Sequence, residues 1–356
     1  MTLPKVMSAV VTTGHGGYER LELRHDVLVA LPGPREVVIA VAAAAVNATD
    51  INTRVGWYTQ GETGPGADTG WTGEPLGFPR IQGIDACGRI VAVGAEISSA
   101  RIGERVLVEP AIREPLGWAP HRALYLGSEL DGAFATYVTV PSVHVWAIES
   151  DMTDVELATF PCSYGTAENL LTRAIITAGD LVLVTGASGG VGSAAVQLAV
   201  ARGAKVVAVA GSGKADAVRN LGAAEVIGRD ADPCDVFGPD AFDAVIDVVG
   251  GAGWPRLLDA LRPGGRYAVS GAIAGAVVPL DLRTLYLKDL TLHGGTIVEP
   301  PVFAAMIERI ERIERRDIEP LVAAVFPLNE IITAQQLFES KRFVGKIVLT
   351  PAGPRP

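Results

Sequence analysis

The sequence predicts an α/β protein in which a doubly wound parallel sheet is joined to a separate β-rich region. Residues 179–214 read strand, glycine turn, helix, strand. The rhythm is β-rich up to about residue 150 and alternates α and β from about residue 160. The tail then returns to the composition of the first region. A chain of 356 residues, 49% of them hydrophobic and 20% charged, is long enough for two cores. The expected division is residues 1–160 with 317–356 for the β-rich part and residues 161–316 for the sheet.

In the β-rich part the expected strands are Ser8–Thr13, Glu36–Val46, Gly88–Val93, Arg105–Glu109 and Ala133–Val140. Turns such as Leu31-Pro32-Gly33-Pro34 and Gly94-Ala95 separate them. Thr59–Gly77 is a long glycine-, threonine- and tryptophan-bearing loop, a length that predicts a functional or mobile segment. Ala111–Leu130 is a second irregular stretch.

The sheet begins with Leu181–Thr185, a short apolar run bounded by turn residues, as a strand buried on both faces would be. After the glycines, Val191, Ala194, Ala195, Leu198 and Ala199 recur at i, i+3, i+4, i+7 and i+8, one apolar helix face that Gly203 terminates. Lys205–Ala210 is the second strand. Glu225–Ile227, Asp243–Val249, Arg266–Ser270 and Leu290–His293 complete six, with helices at Lys214–Leu221 and Trp254–Leu261, the latter ended by the turn Arg262–Gly265. Val302–Arg315 and Asn329–Ser340 read as helices and Gly345–Leu349 as a closing strand.

The turn between the first two sheet strands carries chemistry. Ala187, Ser188, Gly189, Gly190, Val191 and Gly192 form A-x-G-x-x-G, a departure from G-x-G-x-x-G at its first position. The glycines remove side chains where a pyrophosphate approaches backbone N–H groups, and the following helix aims its positive end at that phosphate. With both strands and the helix in place, this predicts a dinucleotide site. An acidic residue about 20 positions past the glycines would favour NAD. Here the second strand runs into Gly211-Ser212-Gly213-Lys214, so Ser212 and Lys214 are expected to bind a 2′-phosphate and the cofactor to be NADP(H). The other reading of Lys214 is the solvated start of the next helix, and Asp216 lies close by. Val249-Gly250 and Ser270-Gly271-Ala272 fall at strand C-termini, where the crevice of such a sheet lies.

A net charge of −10 argues against nucleic acid or an anionic membrane as partner, leaving a small-molecule substrate. The three cysteines form no C-x-x-C pair and the five histidines no H-x-x-x-H. The start MTLPKVMSAV lacks the basic-then-apolar pattern of a signal peptide, and the apolar run Val37–Val46 is only about half a membrane span. These features predict a cytoplasmic protein.

VNATDINTRVGWY, FPRIQGIDACGRIVAVG, IGERVLV, DGAFATYVTVP, VTGASGGVGSAAVQLA, FDAVIDVVGG, LRPGGRYAVSGAIAG and VGKIVL span nearly the whole chain. On these stretches the sequence resembles the medium-chain dehydrogenase/reductase superfamily, in its zinc-independent quinone- and enoyl-reductase branch. The resemblance implies a GroES-like catalytic domain for the β-rich part and a Rossmann domain for the sheet. It also implies a C2 homodimer through the edge strand Leu290–His293. Zinc-dependent relatives place a cysteine where this chain has Asn47, a His-Glu pair where it has Ile84-Asp85, and a cysteine or histidine at about Cys162. Their cysteine-rich zinc lobe would fall within Glu109–Leu130, where no cysteine occurs. An amide and an isoleucine supply no zinc site, so no metal is expected and Cys162 reads as a small buried residue.

Without zinc, a carbonyl must be polarised by hydrogen bonds. Tyr58 matches the tyrosine ending the family's N-x-x-D-x-x-x-R-x-G-x-Y stretch and is the expected donor. The competing reading is an amphipathic residue at a loop edge. Asn47 is expected to face the nicotinamide ribose or the substrate carbonyl, or to form an Asx-type turn. Asp50 orients its neighbours, or stabilises a helix N-terminus and pairs with Arg54 at i, i+4. Thr166 matches a position near the nicotinamide, and Arg229 one where relatives stack a tyrosine on adenine. Lys346 either reaches the pyrophosphate or is a solvated strand end. The expected function is an NADPH-dependent reduction of a conjugated C=C or a quinone. Carbonyl/alcohol interconversion and non-enzymatic NADPH binding are the alternatives.

Overall fold

The computed structural model describes residues 3–58, 70, 76–119, 121–311 and 318–351. The chain divides into two compact units. One comprises Met1–Cys162, Pro320–Arg342 and Lys346–Pro356, the other Ser163–Glu319 with Phe343–Gly345.

The first unit is strand-rich, and its axis is Glu36–Val46. This eleven-residue strand is almost wholly apolar and buried, and one partner does not cover its length. Cys87–Val93 pairs along one side; on the other, Tyr137–Pro141 pairs with Glu36–Ala40 and Lys346–Thr350 with Ala44–Val46. Arg105–Val108 and Val145–Ala147 extend the sheet beyond Cys87–Val93, and Val322–Pro327 extends it beyond Lys346–Thr350. A separate sheet has the order Leu21–Leu28, Val6–Thr12, Arg80–Ile81. The expected strand Ala133–Val140 starts later, at Tyr137. Ala133 and Phe134 donate instead to the carbonyls of Gly83 and Gln82, a crossing too irregular for a ladder.

The second unit is the doubly wound sheet. Its six parallel strands lie in the order Glu225–Gly228, Lys205–Ala210, Leu181–Val184, Phe242–Asp247, Leu261–Val269, Thr291–Gly294. Chain progression reverses beside Leu181–Val184, so the topological switch of the sheet falls there. Leu183, Val207, Phe242, Val245 and Tyr267 fill its core, as the unbroken apolar runs require. The expected turn at Arg262–Gly265 is instead part of the strand Leu261–Val269. The register shifts between Phe242 and Ala244, and Gly264, at φ +72°, donates to the Lys288 carbonyl, so the Pro-Gly-Gly run is absorbed as a bulge. No helix among the described residues is long and apolar enough to cross a membrane.

Candidate active site and nucleotide site

In the strand-rich unit, register brings distant residues together. Ile347 pairs with Val46, so Lys346 stands across from Asn47, while Ala43 pairs with Cys87 on the other side, bringing Asp85 alongside. Asp85 is fully buried. Its Oδ1 accepts the Cys162 N–H at 2.7 Å, and its Oδ2 accepts Asn47 Nδ2 at 2.8 Å and Lys346 Nζ at 3.0 Å. Lys346, 3% exposed, also donates to Asn47 Oδ1. Asn47 Nδ2 has a second acceptor, the Ala45 carbonyl at 3.0 Å. Lys346, expected at a pyrophosphate or a solvated strand end, is thus turned inward. The Asn47 amide, expected to face ribose or carbonyl, is bonded at both ends within the unit.

Helix Ala48–Val55 follows Asn47. Asp50 Oδ2 accepts the Asn47 N–H at 2.8 Å and Oδ1 the Gly83 N–H at 3.2 Å, fixing the helix start to the Gln82–Asp85 segment. Gly83, at φ +103°, has no room for a Cβ, which would lie 2.7 Å from Phe134 N. Burial pushes the Asp50 carboxyl up to about 7, against the two backbone donors that favour its charge, and the nearby Asp85 adds to the rise. Asp50 does not pair with Arg54, as the i, i+4 spacing suggested. Arg54 turns to the opposite face, where Gln335 and the Gly16 carbonyl accept from it at 2.9 Å.

Gly56, in the left-handed region at φ +72°, ends this helix, and Tyr58 follows in the turn. Asn52 Nδ2 donates to the Tyr58 hydroxyl at 3.5 Å, and Thr49 also hydrogen-bonds to it. Burial raises the Tyr58 pKa, so the phenol holds its proton at neutral pH. The Thr59–Gly77 loop lies outside the described residues apart from Gly70, Leu76 and Gly77.

In the sheet unit, the glycine turn stands at the C-terminal end of Leu181–Val184. Gly186 adopts φ +58°, and a Cβ on Gly192 would lie 2.2 Å from the Gly186 carbonyl oxygen, so the turn closes only with glycine. Gly189, an exposed residue, caps helix Gly190–Ala201, with Ser188, Gly190 and Val191 partly open around it. Ala187 is buried and its N–H donates to the Val209 carbonyl, so it braces the turn against the neighbouring strand.

Lys214 Nζ reaches Ser188 Oγ at 3.4 Å, joining the strand tip to the glycine turn. Arg229 stands on the other side of the tip, its Nη2 2.8 Å from where a Cβ on Gly211 would be. Partial burial and then the Arg229 charge lower the Lys214 pKa. Ser212 is exposed beside them, and the neighbouring Asp216 pairs with Arg219. Helix Ser163–Arg173 precedes the sheet, and over Ser163–Leu171 Thr166 is its one residue not buried.

Sequence reasoning missed what holds the second half of this crevice. Asp247, fully buried at the end of its strand, accepts Tyr267 Oη at 2.6 Å, Thr185 Oγ1, the Val249 N–H at 2.8 Å and the Gly250 N–H at 3.2 Å. The backbone of Val249-Gly250 is therefore anchored by Asp247. Gly271 packs against it, a Cβ there falling 3.0 Å from the Val248 carbonyl oxygen, with Ser270 and Ala272 partly exposed alongside. The signal was the carboxylate closing the apolar run FDAVID.

Residues 33–150 match the model of the alcohol dehydrogenase GroES-like domain and residues 190–312 that of the zinc-binding dehydrogenase. A quinone oxidoreductase of Lama guanicoe is 30% identical, over 97% of this chain and 98% of its own. The chain belongs to the medium-chain dehydrogenase/reductase superfamily. An acryloyl-coenzyme A reductase of Metallosphaera sedula is likewise 30% identical, over 97% of this chain and all of its own. A crystal structure assigned as an alcohol dehydrogenase of Sinorhizobium meliloti is 46% identical with a TM-score of 0.90, covering 98% of this chain and 97% of that one. A cobalt- and zinc-bound alcohol dehydrogenase of Pyrobaculum aerophilum superposes with a TM-score of 0.82 at 28% identity, covering 97% of this chain and all of that one. As a member of this superfamily the protein is a pyridine-nucleotide-dependent oxidoreductase, with the GroES-like fold in its strand-rich unit and the Rossmann fold in its sheet unit.

The two groups the superfamily implies fare differently. The glycine turn, with no Cβ over Gly189 and helix Gly190–Ala201 behind it, fits a dinucleotide pyrophosphate. The cluster around Asp85 does not fit zinc. It offers one carboxylate and an amide already bonded to an ammonium, where catalytic zinc takes three ligands from His, thiolate and carboxylate. Among the described residues no group of three or more His, Cys, Asp or Glu is placed to hold a metal ion.

Proposed function

We propose that this protein is an NADPH-dependent, zinc-independent reductase of conjugated C=C bonds or quinones. The observation that supports the reading is the hydrogen-bonded Asn47–Asp85–Lys346 cluster, whose amide and ammonium favour substrate activation by hydrogen bonds rather than a metal. The names of relatives, a quinone oxidoreductase, an NADPH-dependent alkenal/one oxidoreductase and an acryloyl-coenzyme A reductase, support the same reading.

Ser188, Gly189 and Gly190 bind the pyrophosphate and Thr166 lines the nicotinamide end. Val249-Gly250 and Ser270–Ala272 border the cofactor. Lys214 and Arg229, flanking a strand tip without a carboxylate, bind the 2′-phosphate with Ser212. When bound, the reduced nicotinamide supplies the hydride. As the β-carbon of an enone accepts it, the π pair moves to the carbonyl oxygen, and Tyr58 donates a hydrogen bond to that oxyanion. Asn52 donates to the phenol oxygen, so the Tyr58 proton is not spent on that contact. A proton from solvent completes the saturated product. Asp50 is a positioning residue, tying Asn47 and Gly83 to the start of the helix that leads to Tyr58.

Turnover of model enones and quinones with NADPH, set against oxidation of simple alcohols with NADP+, tests the reading. Reduction of either acceptor class is the expected result. Alcohol oxidation alone would favour carbonyl/alcohol interconversion, the activity in the name of the 46%-identical structure. Binding without turnover would favour a non-enzymatic role. NADPH is expected to bind tighter than NADH, a preference that Lys214→Ala reduces.

The protein is also proposed to act as a homodimer through Thr291–Gly294. That strand is the sheet's open edge, and Val277, 96% exposed, lies with exposed Leu282, Tyr286 and Leu287 on the segment leading to it. A monomer by light scattering would contradict this.

A further inference from the structure

Asn47, Asp85 and Cys162 stand where the resemblance to the superfamily implies zinc ligands in its metal-dependent members. The Asn47 amide and the Cys162 backbone N–H both donate to Asp85. The charge set among them is that of Lys346, whose Nζ donates to Asp85 Oδ2 and to Asn47 Oδ1. It arrives there by register, as the first residue of a strand whose next residue pairs with Val46. A fully buried carboxylate needs a positive partner, and an ammonium can serve several acceptors at once. A dication on the same two oxygens would sit within about 4 Å of the ammonium, where like charges repel strongly in a buried setting. A metal on those oxygens would therefore have to compete with the ammonium.

We propose that the Lys346 ammonium is the resident cation of this cluster, standing in for a metal and fixing the Asn47 amide and the Asp85 carboxylate. The inference rests on the zinc-independent part of the proposed function and not on the substrate. It makes Lys346 a positioning residue and predicts that the cluster without it is a vacant cation site.

The test uses the full-length protein, freed of metal with a chelator. Wild type, Lys346→Ala and Lys346→Ala/Asp85→Asn are titrated separately with zinc chloride and with methylammonium chloride. Thermal unfolding and calorimetry are read, so no outcome depends on turnover. Lys346→Ala is expected to unfold below wild type and to regain several degrees with at least one of the two cations. Wild type should not respond. The double variant, electrically balanced again, should recover stability unaided and lose the response. A folded Lys346→Ala that takes up neither cation overturns the proposal. Should Lys346→Ala fail to fold, the double variant decides: folded, it supports charge compensation; unfolded, it shows that Lys346 acts by packing and overturns the proposal. Zinc uptake by wild type that Asp85→Asn abolishes would overturn both this inference and the zinc-independent reading. Failure of enone or quinone turnover, by contrast, would leave the cation result standing.

Discussion

Asn47–Asp85–Lys346 and Glu109–Arg113–His144 lie in the same unit, and each is held by different means. The first gathers an amide, a carboxylate and an ammonium from positions 47, 85 and 346, and nothing local brings them together. The second is built from the chain around it. His144 Nε2 accepts the N–H groups of Arg113 at 3.0 Å and Glu114 at 3.2 Å, so the ring proton is on Nδ1 and is donated to Glu109 at 3.1 Å. Arg113 returns to Glu109 at 3.1 Å, and Trp118 stacks on the imidazole, centroids 5.1 Å apart. This network staples the loop from Glu109 to Trp118. It braces that loop, while the first cluster adjoins the helix that leads to Tyr58.

That contrast breaks most sharply at Asp85. Asp85→Ala leaves a buried ammonium without its counter-charge and should cost about 3–5 kcal/mol of stability, read from urea unfolding. A loss below about 1 kcal/mol would mean that water or another group already serves Lys346. Next comes the pH dependence of Asp50. Its carboxyl is held near 7 in the folded protein against an ordinary value of 3.8. The native state therefore keeps a proton that the unfolded chain releases. Its contribution to stability is fully present below pH 3.8 and is lost as pH rises through 7. The stability of wild type relative to Asp50→Asn should fall across that window, by a few kcal/mol at most. A difference constant with pH would show Asp50 to be charged throughout.

The sequence made the buried parts of both units legible. Glu36–Val46 and Lys205–Ala210 are observed with the expected bounds, because continuous apolar runs leave a strand little choice. The strand Leu21–Leu28 was not expected: LELRHDVL lies at a sheet edge with most of its side chains in solvent, so no apolar period marks it. The glycine turn and the strand tip were readable because their chemistry is contiguous in sequence. The lysine cluster was not, because its members meet only once the register of Lys346–Thr350 against Glu36–Val46 is known. The Arg54–Asp50 pairing failed for a related reason: helical spacing made it available, but the Gln335 side chain, 281 residues away, supplied a buried partner on the other face.

His144→Phe sharpens the comparison from the other side. It keeps the stack on Trp118 but leaves two backbone donors unpaired, and should cost about 1–3 kcal/mol of stability while turnover per folded molecule is unchanged. A loss of turnover matching the loss of stability would give the staple a share in the chemistry. An effect of similar size, confined to turnover, is expected at Tyr58. Removing one oxyanion donor typically costs about 10²–10³ in kcat, and Tyr58→Phe should cost at least about tenfold with NADPH affinity unchanged. Asn47→Ala, alone and combined with Tyr58→Phe, will show whether the two act as a unit, since coupled groups are not additive. Wild-type rates in Tyr58→Phe would remove it from the mechanism.

The central proposal is that this member of the superfamily reduces its substrate without zinc, with Lys346 holding the Asn47 amide and the Asp85 carboxylate in place. The most direct measurement is the rate of NADPH oxidation on an enone or quinone that the protein reduces, before and after exhaustive treatment with a zinc chelator. The predicted result is an unchanged rate that added zinc does not raise. A rate that collapses under chelation and returns with zinc would contradict it.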